Sequence, residues 1–122
     1  MLVGFFNVFH SGFHLSYLLI AENVWIDNIA YVLIKNNVCI SQGAYLLTGN
    51  HDYKKITFDL LPGEIVLEEG VWIGAQSIVC PGIICNSHSV LSVGAVATRH
   101  LEACFIYSGN PAVKVRKRVF EE

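Results

Sequence analysis

From Leu67 onward a large or apolar residue returns at every sixth position, through Leu67, Ile73, Val79, Cys85, Leu91 and Ala97. Four residues after the first five stand Val71, Ser77, Ile83, Ser89 and Ala95, mostly small or β-branched, and Gly70, Gly74, Gly82 and Gly94 fall in between. A step of six residues advances about 240° around an α-helix, which scatters these positions over three faces, so no helical stripe can gather them. In extended chain six is an even number, so the same positions point to one side and share one core. The pattern predicts a short strand and a turn, repeated. Three such units close a triangular coil of about eighteen residues, and coils stack roughly 4.8 Å apart through parallel backbone pairing.

The same phase appears earlier at Ile20, Ile26 and Val32, then slips by two residues to Ile34, Ile40 and Leu46, a slip read as a shortened corner. Val24, Ala30, Val38 and Ala44 keep the fourth position of those units. Before Ile20 the phase is ragged, with Val8 and His14 at the expected places, and residues 1–19 are expected to form a degenerate or truncated first coil that covers the open end of a solenoid. Between Leu46 and Leu67 the phase is lost over a stretch carrying Gly49, Asn50, Pro62 and Gly63, which predicts a loop leaving the coil over residues 48–66. Coils are expected over 20–47 and 67–102, and a short C-terminal tail over 103–122. Loops on a rigid repeat scaffold are where chemistry is usually placed.

At 122 residues one domain must do everything. Hydrophobic residues make up 53% and charged residues 15%, with mean hydropathy +0.49, a charge-poor surface that implies burial in an oligomer. A net charge of −2 gives no reason to expect nucleic acid as a partner. Five of the eight Lys and Arg residues lie from Arg99 onward, and Lys114, Arg116, Lys117 and Arg118 form a basic tail suited to a small anionic ligand. Residues 1–20 are apolar, yet no Lys or Arg precedes Lys35 and polar residues interrupt the run, so neither a signal peptide nor a membrane span is expected, and a cytoplasmic protein is. Cys39, Cys80, Cys85 and Cys104 show no metal-type spacing and read as reduced structural thiols.

The hexads IAENVW and IDNIAY, the stretch VWIGAQSIVCPGI at 71–83, and the pair TGNHDY and GNPA resemble the hexapeptide-repeat acetyltransferases. The wording is closest to the colanic-acid-type O-acetyltransferases, with the galactoside and nodulation acetyltransferases as relatives, and the resemblance covers residues 20–118. The resemblance implies a left-handed parallel β-helix, all-β, that assembles as a homotrimer with its site between subunits. It implies O-acetylation of a sugar or polysaccharide hydroxyl from acetyl-CoA by direct transfer, with no covalent enzyme intermediate and no metal. By the same resemblance His51 is the general base and the backbone N–H of Ala75, after Gly74, meets the oxyanion. Trp72 matches an aromatic beside the acyl region, and Gly94, Thr98 and Arg99 match the pattern that receives CoA, with Arg99 where the family more often has Lys. Gly109-Asn110-Pro111 followed by Lys114 resembles the segment that closes over CoA, although Val113 stands where a lysine is expected after Ala112.

Ordinary readings stand beside these. A lone loop histidine is usually just exposed, and only the motif around His51 lifts it above that. His10, His14, His88 and His100 read as structural or exposed. Asp27 and Asn28, at a turn of the first clear coil, are candidates to hold the sugar, but turn residues of this type need no ligand. Asp52 and Tyr53 are candidates to orient the imidazole or meet the acceptor. A non-catalytic trimeric β-helix that binds CoA without turnover is the competing reading. A γ-carbonic-anhydrase-like metalloenzyme is disfavoured, because no two histidines stand five residues apart.

Overall fold

A computed structural model describes residues 18–121 together with the backbone of Asn7 and Val8. The first-coil expectation for residues 1–19 therefore falls almost wholly outside the described residues. Within them there is no helix. In chain order the strands are β1 (Asn7–Val8), β2 (Leu19–Ile20), β3 (Trp25–Asp27), β4 (Val32–Ile34), β5 (Cys39–Ile40), β6 (Tyr45–Leu47) and β7 (Ile65–Leu67). There follow β8 (Trp72–Ile73), β9 (Ile78–Val79), β10 (Ile84–Cys85), β11 (Val90–Leu91), β12 (Val96–Ala97), β13 (Phe105–Ser108) and β14 (Val113–Lys117). Through β12 every third strand joins one sheet, which gives a three-sided parallel β-helix. The first face stacks β1, β4, β7 and β10; the second stacks β2, β5, β8, β11 and β13; the third stacks β3, β6, β9 and β12.

The six-residue apolar positions are the rungs of the interior. Ile34, Leu67, Cys85 and Leu101 line the first wall, Ile40, Ile73 and Leu91 the second, and Leu46, Val79 and Ala97 the third, all fully buried. Leu67 pairs with Cys85, Ile73 with Leu91 and Val79 with Ala97, so the later coils have the predicted period of eighteen. The earlier slip is corrected in sense. Ile20 pairs with Ile40 and Ile26 with Leu46, a twenty-residue coil, and the two extra residues lie at the corner between β3 and β4. That corner is lengthened, so that Val32 and Ile34 both turn inward. A shortened corner comes later, before Leu101, which bridges to Cys85 sixteen residues back.

The corners repeat as regularly as the rungs. Left-handed backbone recurs at Gly70, Gln76, Gly82, His88 and Gly94, every sixth residue, where a tight turn re-aims the chain. Gly70 is required twice over: its φ is +71°, and a Cβ there would stand 2.1 Å from His88 Nδ1. At the corner after β8 the inward hydroxyl is satisfied locally: Ser77 Oγ donates to the Gly74 carbonyl at 2.6 Å. Burial pushes the Cys85 thiol up to about 12, which keeps it protonated and inert.

Two boundaries differ from the sequence reading. Ile65 already belongs to β7, so the excursion spans residues 48–64, and its return is tight enough that a Cβ on Gly63 would meet Gly82 N at 2.5 Å. The stretch read as a tail continues the coil instead. β13 joins the second face with Tyr107 buried, and β14 folds back antiparallel on β13. The shortened corner broke the six-residue phase, which hid this last rung. β14 gives the last parallel strand a partner, and Arg118 Nη1 donates to the carbonyls of Gly70 and His88 at 3.0 and 3.2 Å.

Leu46→Ala is expected to cost about 2–5 kcal/mol, because the stacked rungs above and below cannot close over the void. The outward change Tyr45→Phe should leave the melting temperature nearly unchanged. Thermal denaturation of the two variants checks this, and equal Tm values would contradict the assignment of inward and outward positions.

Candidate active site

The excursion leaves the coil at the corner joining the third face to the first, and it is fastened at its root. Thr48 is buried; its Oγ1 donates to the Asp27 carbonyl at 2.6 Å and accepts the Ala30 amide at 3.0 Å. The Asp27 carboxylate accepts the Gly49 amide at 3.0 Å, and on the return Gly63 N donates to the Thr48 carbonyl at 2.8 Å. Beyond the root the chain doubles back: Leu61 N donates to the Asn50 carbonyl at 2.7 Å and Asp52 N to the Asp59 carbonyl at 2.8 Å. An exposed Lys55–Asp59 pair at 3.3 Å lies near its tip and adds little.

His51 sits in this doubled segment, bridged to Leu60 and exposed. Its ring stacks on Phe58 with centroids 4.1 Å apart and planes 11° from parallel. Its Nδ1 is 3.0 Å from the Phe58 carbonyl oxygen. A carbonyl can only accept, so Nδ1 carries the proton in this contact and the lone pair of a neutral ring is left on Nε2. Phe58 adopts φ +51°, a conformation bulky residues rarely take, and that turn carries both the ring and the carbonyl that hold the imidazole. Asp52 does not do so: its carboxylate accepts the Lys54 amide at 3.1 Å, and Tyr53 is almost fully exposed.

A groove of about 560 Å³ runs along the second face beside the corner that leads to the third. Parallel pairing stacks Cys39, Trp72, Val90 and Ile106 outward in register, and Trp72, Val90 and Ile106 form the groove wall. Gly74, Ala75, Ser92 and Val93 form its edge at the corner, with Ser41 and Gln42 at one end and Arg116 at the other. Gly74–Ser77 is a tight turn closed by Ser77 N donating to the Gly74 carbonyl at 3.2 Å, with Gln76 at φ +56°. Ala75 N, at the second position of that turn, donates to no acceptor among the described residues. Trp72 Nε1 donates to Ser41 Oγ at 2.9 Å.

The residues singled out in sequence thus fall into two groups. His51, Asp52, Tyr53, Thr98 and Arg99 lie at the corner between the third and first faces, with Asp27 and Asn28 on the same edge. Trp72, Gly74, Ala75 and Gly94 lie on the second face or its corner with the third, so β12 separates Gly94 from Thr98 and Arg99. Asp27 is the end of a strand, not a turn residue, and its carboxylate is spent on the loop root. Lys114 is outside the groove: it pairs with Glu102 at 2.6 Å and lies 4.3 Å from the Phe105 ring centroid. Its hydrogen bond to Glu102 raises the Lys114 pKa. Arg116, two residues on, is the cation that lines the groove. Ser41, Val90, Ile106 and Phe58 were not singled out: the register across the excursion places Ser41 beside Trp72, Val90 lies one regular coil above Trp72, Ile106 follows the shortened corner, and nothing in the sequence marks Phe58. Among the described residues no three His, Cys, Asp or Glu side chains are grouped to hold a metal ion, and no helix is long and apolar enough to cross a membrane.

No family model matches the chain. In sequence it is similar to acetyltransferases. It is 39% identical over 56 residues to a chloramphenicol acetyltransferase of Agrobacterium fabrum, covering 46% of this chain and 27% of the relative. It is 32% identical over 75 residues to WcaF of Escherichia coli K12, assigned as a colanic acid biosynthesis acetyltransferase, covering 62% and 41%. To a galactoside O-acetyltransferase of Lactococcus lactis it is 33% identical over 54 residues, covering 44% and 26%. The chain spans about a quarter to two-fifths of the length of these curated relatives. In structure it is similar to the Bacillus cereus N-acyltransferase AntD, solved with dTDP and 3-hydroxybutyryl-CoA, with TM-score 0.80 at 20% identity over 92% of this chain and 63% of that one. It is similar as well to a maltose O-acetyltransferase of Clostridium difficile, with TM-score 0.71 at 22% identity over 86% and 60%. The fold is the left-handed parallel β-helix of the hexapeptide-repeat acetyltransferases, and the sequence relatives are acetyltransferases.

Asp27→Ala removes the acceptor of the Gly49 amide and is expected to destabilise the loop root by about 1–3 kcal/mol. Hydrogen exchange at Gly49 and proteolysis within residues 50–61 should both accelerate while core amides stay protected. Unchanged cleavage would show that the root is held without the carboxylate.

Proposed function

We propose that the chain is an acetyl-CoA-dependent O-acetyltransferase acting on a sugar or polysaccharide hydroxyl, with His51 as general base. The single observation that carries this reading is the hold on the His51 ring: its Nδ1 lies 3.0 Å from the Phe58 carbonyl oxygen and its face stacks on Phe58, an arrangement that leaves Nε2 of the neutral imidazole exposed as the proton acceptor. The acceptor hydroxyl gives its proton to Nε2 as its oxygen attacks the thioester carbonyl. The Ala75 N–H, unpaired in the groove, receives the developing oxyanion. The intermediate then collapses, the C–S bond breaks, and the imidazolium returns the proton to the departing sulfur. No covalent enzyme intermediate is formed.

The two groups of residues lie at different corners of the prism, which supports a homotrimer in which one protomer's loop approaches the groove of its neighbour. The exposed Trp25 and Tyr45 agree with that burial. The groove offers apolar side chains along its length and Arg116 at one end, a lining suited to an extended pantetheine ending in phosphate. AntD, solved with an acyl-CoA, supports use of a CoA thioester. The relatives named for galactoside and colanic acid support a sugar acceptor, whereas those named for chloramphenicol make a drug hydroxyl the competing acceptor. Four cysteines without disulfide partners support a reducing, cytoplasmic setting.

A thiol-release assay with acetyl-CoA against sugars, nucleotide sugars and chloramphenicol is expected to give turnover with a sugar acceptor, and release with chloramphenicol alone would move the acceptor class. His51→Ala should lower kcat by about 10²–10⁴-fold while leaving the Kd for CoA unchanged. Equal rates in mutant and parent would remove the base assignment. Sedimentation should give a trimer, and a stable active monomer would overturn the shared site.

A further inference from the structure

Trp72 projects from the second face at the middle of the groove, about half exposed. An indole on a strand has several staggered orientations open to it, and packing against a flat sheet face selects weakly among them. Its one polar atom, Nε1, can only donate. That atom is met by Ser41 Oγ at 2.9 Å, from the coil beneath, where Cys39 pairs with Trp72 and Ser41 follows at the next corner. A neutral hydrogen bond of ordinary net strength favours this orientation by about two- to tenfold over the others.

We infer that Ser41 is a positioning residue that holds the Trp72 indole as a wall of the groove, and that this wall sets the length of acyl chain the enzyme accepts. The inference rests on the transferase reading above. Ala75, whose free N–H marks where the thioester carbonyl would sit, lies three residues beyond Trp72 on the same rim. Val90 stacks directly on Trp72 in the next coil. On this reading a methyl fits beside these groups, whereas a propyl chain reaches the ring. With the indole pinned, the longer chain is disfavoured; with the pin removed, the ring swings aside and admits it. Ser41, at the end of the groove, acts on the acyl chain through Trp72.

The test compares parent, Ser41→Ala and Ser41→Thr with acetyl-CoA and butyryl-CoA. In Ser41→Ala the acetyl-over-butyryl ratio of kcat/KM is expected to fall about three- to tenfold, chiefly through a lower KM for butyryl-CoA. Ser41→Thr keeps a hydroxyl and should restore most of the preference. In a Trp25→Phe background Trp72 is the sole indole, and its emission maximum should shift in Ser41→Ala and return in Ser41→Thr. An unchanged acyl preference in an active Ser41→Ala overturns the inference and leaves the transferase reading standing. An unchanged emission overturns the hydrogen bond itself. If the parent turns over no acyl-CoA, the transferase reading fails separately. The acetyl- and butyryl-CoA affinities read from Trp72 quenching then decide, with an equal ratio in parent and Ser41→Ala overturning the role of Ser41.

Discussion

Each coil must close onto the backbone ladder of the coil before it while turning one apolar side chain of every hexad inward. Parallel pairing fixes the rise between coils at roughly 4.8 Å, so an inward residue on one rung necessarily lies against its equivalent above and below. The interior is therefore built of columns, such as Ile40 under Ile73 under Leu91, and each column tolerates change only in matched steps. The left-handed corners at Gly70, Gln76, Gly82, His88 and Gly94 follow from this, since they turn the chain without altering which residue comes next in the column. The outer faces follow too. The same alternation that buries Ile73 leaves Trp72 pointing into the groove, so interior and site are two readings of one strand.

This explains which parts of the molecule were legible in its sequence. The run from Leu67 to Ala97 obeys the period without interruption, and its strands, faces and inward set can be drawn from spacing alone. Where a corner gained two residues, the spacing still signalled a slip but could not say which way the corner had changed. Ile26 to Ile34 was lengthened because Val32 and Ile34 both point inward, a fact that depends on tertiary burial and not on local preference. Before Leu101 the loss of two residues erased the phase, so β13 read as tail although Tyr107 continues the second wall.

The candidate site was legible only where a motif carried it. TGNHDY marked His51, and VWIGA marked Trp72 and Ala75, but the partners that give these residues their geometry were not marked. Phe58 braces His51 from within the excursion, where no period applies. Ser41 meets Trp72 only because the excursion restores register, so that β5 lies directly under β8 across thirty-three residues of chain. Lys114 and Arg116 are equally basic in sequence, and only the irregular pairing of β14 on β13 sends one to Glu102 and the other to the groove.

An insertion of fifteen residues beyond the regular coil costs the scaffold little, because loop closure entropy grows only slowly with length and the columns on either side keep their register. What the scaffold must supply is a fixed exit and return. Thr48 does this from inside the wall, with its hydroxyl shared between the carbonyl of Asp27, where β3 ends, and the amide of Ala30, within the lengthened corner that follows in the preceding coil. The two departures from regularity are thus one arrangement: the enlarged corner of one coil provides the polar groups that anchor the excursion of the next. A shorter corner would leave Thr48 buried without partners, and the imidazole of His51 would depend on a root with nothing to hold it. The placement of the proposed base is in this sense set one coil away from its own ring, by backbone groups that no substitution in the loop can replace.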